Sequence, residues 1–464
     1  MLARIDSRVA RAGNPYRQIL RRHVPEPVLA LLIFVMGVWL WDNHFGDQQG
    51  YEDGACRMAL IKIDRDLRLA EGMEKLPPLA RSALLIDSVP ETVDSSIRSL
   101  AMLGKEGALD QEGAYALAIL DALRKGENPT RGAFSDLGLP GPPNPRLIID
   151  RVSEGRDAWW DREYLMAFGD FGSSEIALKA SPAEEDGRNH ELALRVIVAR
   201  GAVWLFAIIG VFFVPRVFRA FGRAIRARER GYVGQWPLTL GLGVFFMAYL
   251  ASVGFESLVS QVLKGLPIEG AEPIYLEPPV LAILDSAVRF LPALVALGFL
   301  FRRGRHAMAR LGLWARPDLF LVLGTFSLLT LIDQILKHAL ADMIPADPTG
   351  GLSEAEAGTW GLALAVISAC VAAPIAEEIL YRGVLFRSLA NWLRVPAAAL
   401  ISATVFAIVH YHYEVYGLLS VGVLGAACAL CYAATGSLAT AILLHVLYNF
   451  VIKVPEWIVY HAPL

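Results

Sequence analysis

The sequence has few cysteines, little net charge and no zinc-hydrolase motif. Three of its four cysteines lie in apolar segments, so no disulfide framework is predicted. The CxxC spacing of Cys428 and Cys431 falls inside a hydrophobic run, where small residues suit helix–helix packing. The formal net charge of −3 implies no bulk attraction to nucleic acid. His-Glu-x-x-His, which would indicate a zinc hydrolase, occurs nowhere in the chain.

Apolar residues are abundant instead, and they lie in long runs. They make up 55% of the chain, and the mean hydropathy of +0.44 is too high for a soluble globular protein. We therefore predict an all-α fold: a polytopic membrane helix bundle of about nine spans with an inserted, mostly helical soluble domain. The spans are expected near residues 28–41, 196–214, 238–255, 280–301, 319–336, 360–380, 396–413, 416–434 and 437–455.

Arginine clusters predict which side of the membrane the loops face. Six arginines precede the first apolar run and six more follow the run at 196–214. Cytoplasmic loops carry such an excess, so the N-terminus is expected in the cytoplasm of a bacterial cell. The later cluster, within 216–230, forms a basic amphipathic face suited to anionic lipid. No small-residue cleavage site follows Trp41, which favours a retained anchor over a cleaved signal peptide.

The changes in composition predict six regions. They are a basic arm (1–23), a first anchor (24–45), an extracytoplasmic helical domain (46–192), membrane helices with basic loops (193–316), a last group of membrane helices (317–455) and a tail (456–464). The domain 46–192 contains no metal cluster, nucleophile motif or phosphate loop, so its partner is unknown. Trp159 and Trp160 are expected to pack in a core or at the membrane interface.

Two adjacent carboxylates and an arginine stand out in the apolar run near 360–380. Glu378 and Arg382 are four residues apart and share a helical face, so they are predicted to pair. Glu377 points about 100° away and has no obvious cation. One carboxylate is then neutralised while its neighbour is available for chemistry. A helix end at the membrane surface, where Glu and Arg are ordinary, is the alternative. Pro374 is expected to bend or break this helix.

Three further polar side chains fall inside the later apolar runs: His410, His445 and Asn449. Each would need its own partner in hydrocarbon, whereas convergence on one cavity lets them satisfy one another. Away from bulk water a carboxylate becomes a competent base, so Glu377 could deprotonate a water that His410 positions. His445 and Asn449, on successive turns, could donate hydrogen bonds to the oxyanion of a tetrahedral intermediate.

The order Glu-Glu-x-x-x-Arg, Phe-x-x-x-His and His-x-x-x-Asn, each on an apolar helix, resembles the CPBP family over residues 320–455. These intramembrane proteases include the CAAX prenyl endopeptidases and the bacterial Abi proteins. The resemblance implies that Glu377 and His410 activate water and that His445 and Asn449 form the oxyanion hole. It implies supporting roles for Glu378 and Arg382, and a protein or peptide substrate at the membrane. A prenylated substrate is not implied.

Metal dependence is a separate question. The family has been called metal-dependent, and Glu377, His410 and His445 could hold Zn²⁺ as two histidines and one carboxylate. The resemblance fits a metal-free glutamate mechanism equally, and we expect no required cofactor, with zinc as the alternative. His412 and Glu414 lie beside His410, but His412 faces away from it on a helix and is expected to be a bystander.

Two other groups of charged residues have simpler explanations. Asp285 and Arg289 are expected to form an ion pair within one helix. Asp333, His338 and Asp342 are expected to lie at a solvated helix end rather than form a metal site.

Two functions other than proteolysis use the same features. A non-enzymatic scaffold or immunity-type membrane protein would keep its effect without Glu377. A proton-coupled transporter would use the buried acids and histidines as a relay. The clustering of these residues in one half of the chain argues against the transporter, as does the lack of internal repeats.

Overall fold

The structure is a computed structural model that describes residues 28, 30–36, 55–127, 137–139, 141, 145–154, 156–168, 182–226, 238–263, 278–301, 311–340, 363–364, 366–410 and 415–460. Helices account for most of these residues, and there is no strand among them. The all-α prediction is therefore confirmed for this part of the chain. The basic arm 1–23, most of the anchor 24–45, and His412, Asp342 and Glu414 lie outside it, as do the side chains of Asp285 and His338.

The α-helices, in chain order, are α1 (Ala55–Gly72), α2 (Pro78–Ala83), α3 (Val89–Lys105), α4 (Gln111–Lys125), α5 (Pro145–Ser153), α6 (Trp159–Phe168), α7 (Pro182–Val211), α8 (Val214–Arg226), α9 (Leu238–Leu263), α10 (Pro278–Phe301), α11 (Leu319–Ala339), α12 (Ala373–Glu377), α13 (Arg387–Ala390), α14 (Val395–Ile408), α15 (Val415–Thr435) and α16 (Leu438–Tyr460). Two π-helices adjoin α12: π1 (Ser368–Ala372) precedes it and π2 (Glu378–Phe386) follows it.

These helices fall into two compact units. The N-terminal unit contains the described residues from 55 to 205 and the last turns of α16 from residue 451. The site-bearing unit contains those of 28–36, 206–340 and 363–450. The boundaries of the six predicted regions remain predictions.

The N-terminal unit is built from short helices with defined ends. A capping box starts α3: the Ser88 backbone and hydroxyl both donate to the Glu91 carboxylate, at 2.9 and 2.6 Å. Asp110 caps α4 by accepting from the Gly113 N–H at 2.8 Å, and Gly126 ends α4 in the left-handed region at φ 66°. Local sequence signals therefore fix where these helices begin and end.

The core of this unit contains both predicted tryptophans. Trp159 and Trp160 are buried against apolar residues of α1, α3 and α4. Arg68 is also buried beneath them, and it is held by Asp64 at 3.1 Å and by the Asp157 carbonyl at 2.9 Å. The expectation that the tryptophans pack in a core is confirmed.

Five described helices are long and apolar enough to cross a membrane. The candidate spans are Gly187–Val211, Leu238–Val259, Leu319–Lys337, Val415–Thr435 and Leu438–Tyr460. Ser286–Leu300 and Val395–Ile408 are apolar but shorter. These helices indicate a multi-pass membrane protein, while the count of nine spans remains a prediction.

Glu377, Glu378 and Arg382 lie on a helix that changes type along its length. From residue 366 to 390 the chain stays helical, alternating between α and π geometry. Pro374 is the second residue of α12 within this continuous helix, and it has no N–H to donate. The wide turn π1 lies immediately before it. Pro374 thus marks a change of helix type and does not interrupt the helix.

Candidate active site

Glu378 and Arg382 form a buried ion pair, as the sequence predicts. Arg382 Nη1 lies 3.1 Å from Glu378 Oε1, and neither side chain is exposed. Arg382 Nη2 also donates to the Gly425 carbonyl on α15 at 2.8 Å. The guanidinium lies over the Phe406 ring of α14, 4.5 Å from its centroid. Arg382 therefore joins π2 to two neighbouring helices and fixes the rotation of the helix that carries both glutamates.

His445 lies between the two glutamates. Its Nδ1 is 2.9 Å from Glu378 Oε1, and its Nε2 is 3.6 Å from Glu377 Oε2. A carboxylate only accepts hydrogen bonds, so Nδ1 is the protonated nitrogen and its N–H donates a hydrogen bond to Glu378 Oε1. The buried carboxylate thereby orients the imidazole and directs Nε2 toward Glu377.

Glu377 differs from Glu378 in its access to solvent. Its side chain is 25% exposed, whereas that of Glu378 is fully buried. Glu377 ends α12 and Glu378 begins π2, so the change of helix type falls between the two carboxylates. Wide π turns occur frequently at functional sites because they re-aim side chains. The pair is thus divided into a fixed acid and an accessible one.

His410 lies at the end of α14 and turns its ring back onto the preceding turn. Its Nδ1 donates to the Phe406 carbonyl at 2.7 Å, which places the lone pair of the neutral imidazole on Nε2. The Phe406 ring packs edge-on against both histidines, with centroid separations of 4.9 Å to His410 and 5.7 Å to His445. One aromatic side chain therefore contacts both imidazoles and the Arg382 guanidinium.

Asn449 follows His445 by one turn on α16. Its amide Nδ2 donates to the Ala369 carbonyl of π1 at 2.9 Å. A primary amide has two N–H groups, so this bond uses one and leaves the second for another acceptor. Asn449 links α16 to the same irregular helix that carries the glutamates.

Asp333 takes part in a second polar cluster of the same unit. Its carboxylate accepts from the Ser420 hydroxyl and the Tyr448 hydroxyl, both at 2.7 Å. Asp333 thus joins α11, α15 and α16, and Tyr448 directly precedes Asn449. Asp333 therefore accepts hydrogen bonds from two other helices, which its predicted place at a solvated helix end does not explain. The predicted ion pair of Asp285 with Arg289 stays a prediction.

Residues 359–451 match a family model described as Rce1-like, type II CAAX prenyl endopeptidase Rce1-like. This segment is therefore similar to the Rce1-like family. It contains every predicted site residue: Glu377, Glu378, Arg382, His410, His445 and Asn449. Neither the curated proteins nor the solved structures give a match to the chain.

The side chains of metal-ligand type that lie close together in residues 359–451 differ from the three that the sequence predicts as possible zinc ligands. Among the described residues, the group whose ligand atoms come within 4.8 Å of one another is Glu378, Cys428 and His445. Glu377, His410 and His445 do not form such a group.

This buried trio is a poor fit for a metal ion. The Arg382 guanidinium already lies 3.1 Å from Glu378 Oε1, and a second cation there would be repelled. His445 Nδ1 donates to the same oxygen and cannot be a ligand while it carries that proton. The Cys428 thiol donates to the Ala441 carbonyl at 3.7 Å, while Glu378 Oε2 is buried without a hydrogen-bond partner among the described residues.

Sequence reasoning did not find the contact of His445 with both glutamates, nor the places of Cys428, Phe406 and Asp333. Helical spacing identifies neighbours on one helix, whereas these contacts join different helices. Cys428 in particular looks like an ordinary small packing residue in its apolar run, and nothing in the sequence separates it from Cys431.

Proposed function

We propose that this protein is an intramembrane endopeptidase that hydrolyses a peptide bond of a membrane-associated protein. The observation that carries the proposal is His445, held between a buried carboxylate and an accessible one inside an Rce1-like domain. An imidazole oriented by one acid and facing another is a common arrangement for moving protons in hydrolysis. Its position in an apolar helix supports chemistry within the membrane.

Glu377 is the proposed general base. It is the more accessible of the two glutamates, and so it can reach a water molecule. His410, whose lone pair is on Nε2, would accept a hydrogen bond from the same water and position it. Glu377 takes one proton as the water oxygen attacks the scissile carbonyl carbon and forms the C–O bond. The carbonyl oxygen becomes the oxyanion of the tetrahedral intermediate.

Asn449 and His445 are the proposed donors to that oxyanion. Asn449 has its second amide N–H, and His445 can donate from Nε2 when both ring nitrogens are protonated, with the Glu378 carboxylate balancing its charge. Removal of one such donor typically costs about 3 kcal/mol of transition-state stabilisation. Collapse of the intermediate breaks the C–N bond, and Glu377 returns its proton to the departing amine.

Glu378 and Arg382 are proposed to act through position. Glu378 fixes the tautomer and orientation of His445, while Arg382 balances the charge of Glu378 and ties it to α15. The buried cluster then needs no metal ion to hold its acids in place. In this reaction the residues of the chain supply the base, the oxyanion donors and their support.

The test is a comparison of protein termini in membranes that contain the wild-type chain or its Glu377→Gln variant. We expect new termini near membrane segments with the wild type and none with Glu377→Gln or His410→Ala. Glu106→Gln, a change at an exposed acid of the N-terminal unit, is the matched control and should cleave normally. Identical termini in the wild type and Glu377→Gln would refute the proposal and favour a scaffold.

A further inference from the structure

A polar cavity separate from the candidate active site lies at the basic helix α8. Its volume is ≈ 680 Å³. The side chains around it belong to α8, to the start of α11 and to the end of α15, and none is a proposed catalytic residue. They include Arg216, Arg219, Arg223, Arg226, Asp318 and Thr435.

The four arginines give this cavity a strong positive charge. Arg216 pairs with Asp318 at 2.6 Å. Among the described residues, the other three have no carboxylate partner. Arg219 and Arg223 each donate from Nε to the carbonyl four residues earlier, at 3.2 and 3.3 Å, which holds their side chains along the helix. The cavity therefore combines several guanidinium groups with one acid.

Helix α8 has two further faces that locate the cavity. Val217, Ala220 and Ala224 are buried and face α11 and α15. Phe218 and Ile225, seven residues apart, are 66% and 45% exposed. Exposed aromatic and aliphatic side chains on one face and arginines on another are typical of a helix that lies in the plane of the membrane surface. In that position the cavity would be at the level of the lipid headgroups.

We propose that this cavity binds a phosphate group, supplied by the headgroup of an anionic lipid. Guanidinium groups present paired N–H donors that match phosphate oxygens. The positive charge of several guanidinium groups is more than enough to balance the negative charge of one phosphate. Free inorganic phosphate shares this chemistry. The exposed Phe218 and Ile225 favour the lipid, because its acyl chains would lie against them. The inference is independent of the proposed proteolysis.

The test uses the purified full-length chain and measures phosphatidylglycerol binding by native mass spectrometry. The double variant Arg219→Gln/Arg223→Gln should bind roughly 30-fold more weakly, since each arginine near an anionic surface contributes about a factor of 5 to 6. Arg394→Gln is the control, because Arg394 is an exposed arginine of the same unit outside the cavity. Its affinity for phosphatidylglycerol should equal that of the wild type.

Two further measurements complete the test: thermal unfolding checks that the variants fold, and competition with inorganic phosphate identifies the source of the phosphate. Thermal unfolding in phosphatidylcholine alone should be equal for all variants, and Arg226→Gln replaces the double variant if that one fails to fold. Millimolar inorganic phosphate should leave phosphatidylglycerol bound. Binding of phosphate without the lipid would overturn the lipid assignment, and equal lipid binding by the wild type, the cavity variants and the control would overturn the site.

Discussion

The Glu378–Arg382 pair is where single residues of this protein can be tested most directly. Both side chains are fully buried, and the pair also supports His445 and contacts Phe406. A buried ion pair often stabilises a protein no more than two well-packed apolar residues in the same place would. Removal of one partner, however, leaves a buried charge without compensation. The loss of Arg382 should therefore have a large effect on stability as well as on cleavage.

Arg382→Gln should lower the free energy of unfolding by about 3–5 kcal/mol, because Glu378 would remain buried without its cation. Thermal unfolding of the purified protein in detergent measures this change. Glu378→Gln/Arg382→Gln should recover much of the loss, since it removes both charges. Equal unfolding temperatures for Arg382→Gln and Arg394→Gln would contradict the importance of the pair.

A second residue-level prediction concerns Asp161 in the N-terminal unit. Burial raises the pKa of Asp161 to about 6, despite Arg151 at 3.5 Å. The folded state then binds this proton more tightly than the unfolded chain, whose carboxyl has an ordinary pKa of 3.8. The contribution of Asp161 to stability should therefore be greatest below about pH 4 and fall by about 3 kcal/mol as the pH rises to 6 and above.

Asp161→Asn should flatten that dependence on pH between about 4 and 6. Trp160 lines the same ≈ 220 Å³ cavity as Asp161, so tryptophan fluorescence can follow the unfolding of this region in the full chain. Glu106→Gln should keep the wild-type slope. An unchanged slope for Asp161→Asn would show that this carboxyl does not control the titration.

At the level of residues, the sequence makes certain polar side chains conspicuous but does not show how they meet. Glu377, Glu378, His445 and Asn449 are conspicuous because polar groups are costly in apolar runs. The pairing of Glu378 with Arg382 follows from helical spacing alone. The contact of His445 with both glutamates depends on how α16 packs against π2, and no spacing rule gives the rotation of one helix against another.

At the level of secondary structure, close helix packing depends on small residues of α15. A Cβ on Gly425 would come within 3.1 Å of both Arg382 Nη2 and Phe406, and within 3.2 Å of the Ala403 backbone. Gly422, one turn earlier, is a natural comparison. A Cβ there would meet the Ala407 Cβ at 3.6 Å, which is an ordinary contact.

Gly425→Ala should destabilise the protein by about 1–3 kcal/mol, because α14 and Arg382 must move to make room. Cleavage should fall further than stability alone explains, since Arg382 orients Glu378. Gly422→Ala should be neutral or stabilise by up to about 1 kcal/mol through helix propensity. Thermal unfolding compares the two variants, and equal unfolding temperatures would argue against close packing at Gly425.

The apolar helices were largely predictable, whereas their irregularities were not. The predicted span at 416–434 corresponds to α15 (Val415–Thr435), and the one at 319–336 to most of α11 (Leu319–Ala339). Hydrophobic length carries that information. The π turns beside Pro374 were missed, because one extra residue per turn leaves no trace in an apolar composition. Helix type there is decided by packing.

At the level of the whole molecule, the distribution of arginines predicts an orientation in the membrane. Excess positive charge on cytoplasmic loops would place α8 in the cytoplasm and α1–α6 on the opposite side. All four native cysteines are buried, so reagents that label exposed thiols should give little background.

Introduced cysteines can test this orientation. Arg124→Cys, in the last turn of α4, should react with a membrane-impermeant maleimide on intact cells. Arg226→Cys, at the end of α8, should react only after the cells are permeabilised. The wild-type chain is the control and should not be labelled under either condition. The reverse pattern would place α8 outside and invert the predicted topology.

The wide turns of π2 determine how the chain would respond to the deletion or insertion of one residue. A π-helix contains more residues per turn than an α-helix, so the segment Glu378–Phe386 holds a surplus that ordinary helical winding would not accommodate. Deletion of a single residue between 383 and 386 could be absorbed by rewinding to α geometry. Glu377, Glu378 and Arg382, which precede the deletion, would then keep their orientation relative to the helices that follow. A one-residue insertion at the same place has no such outlet and would rotate everything after it.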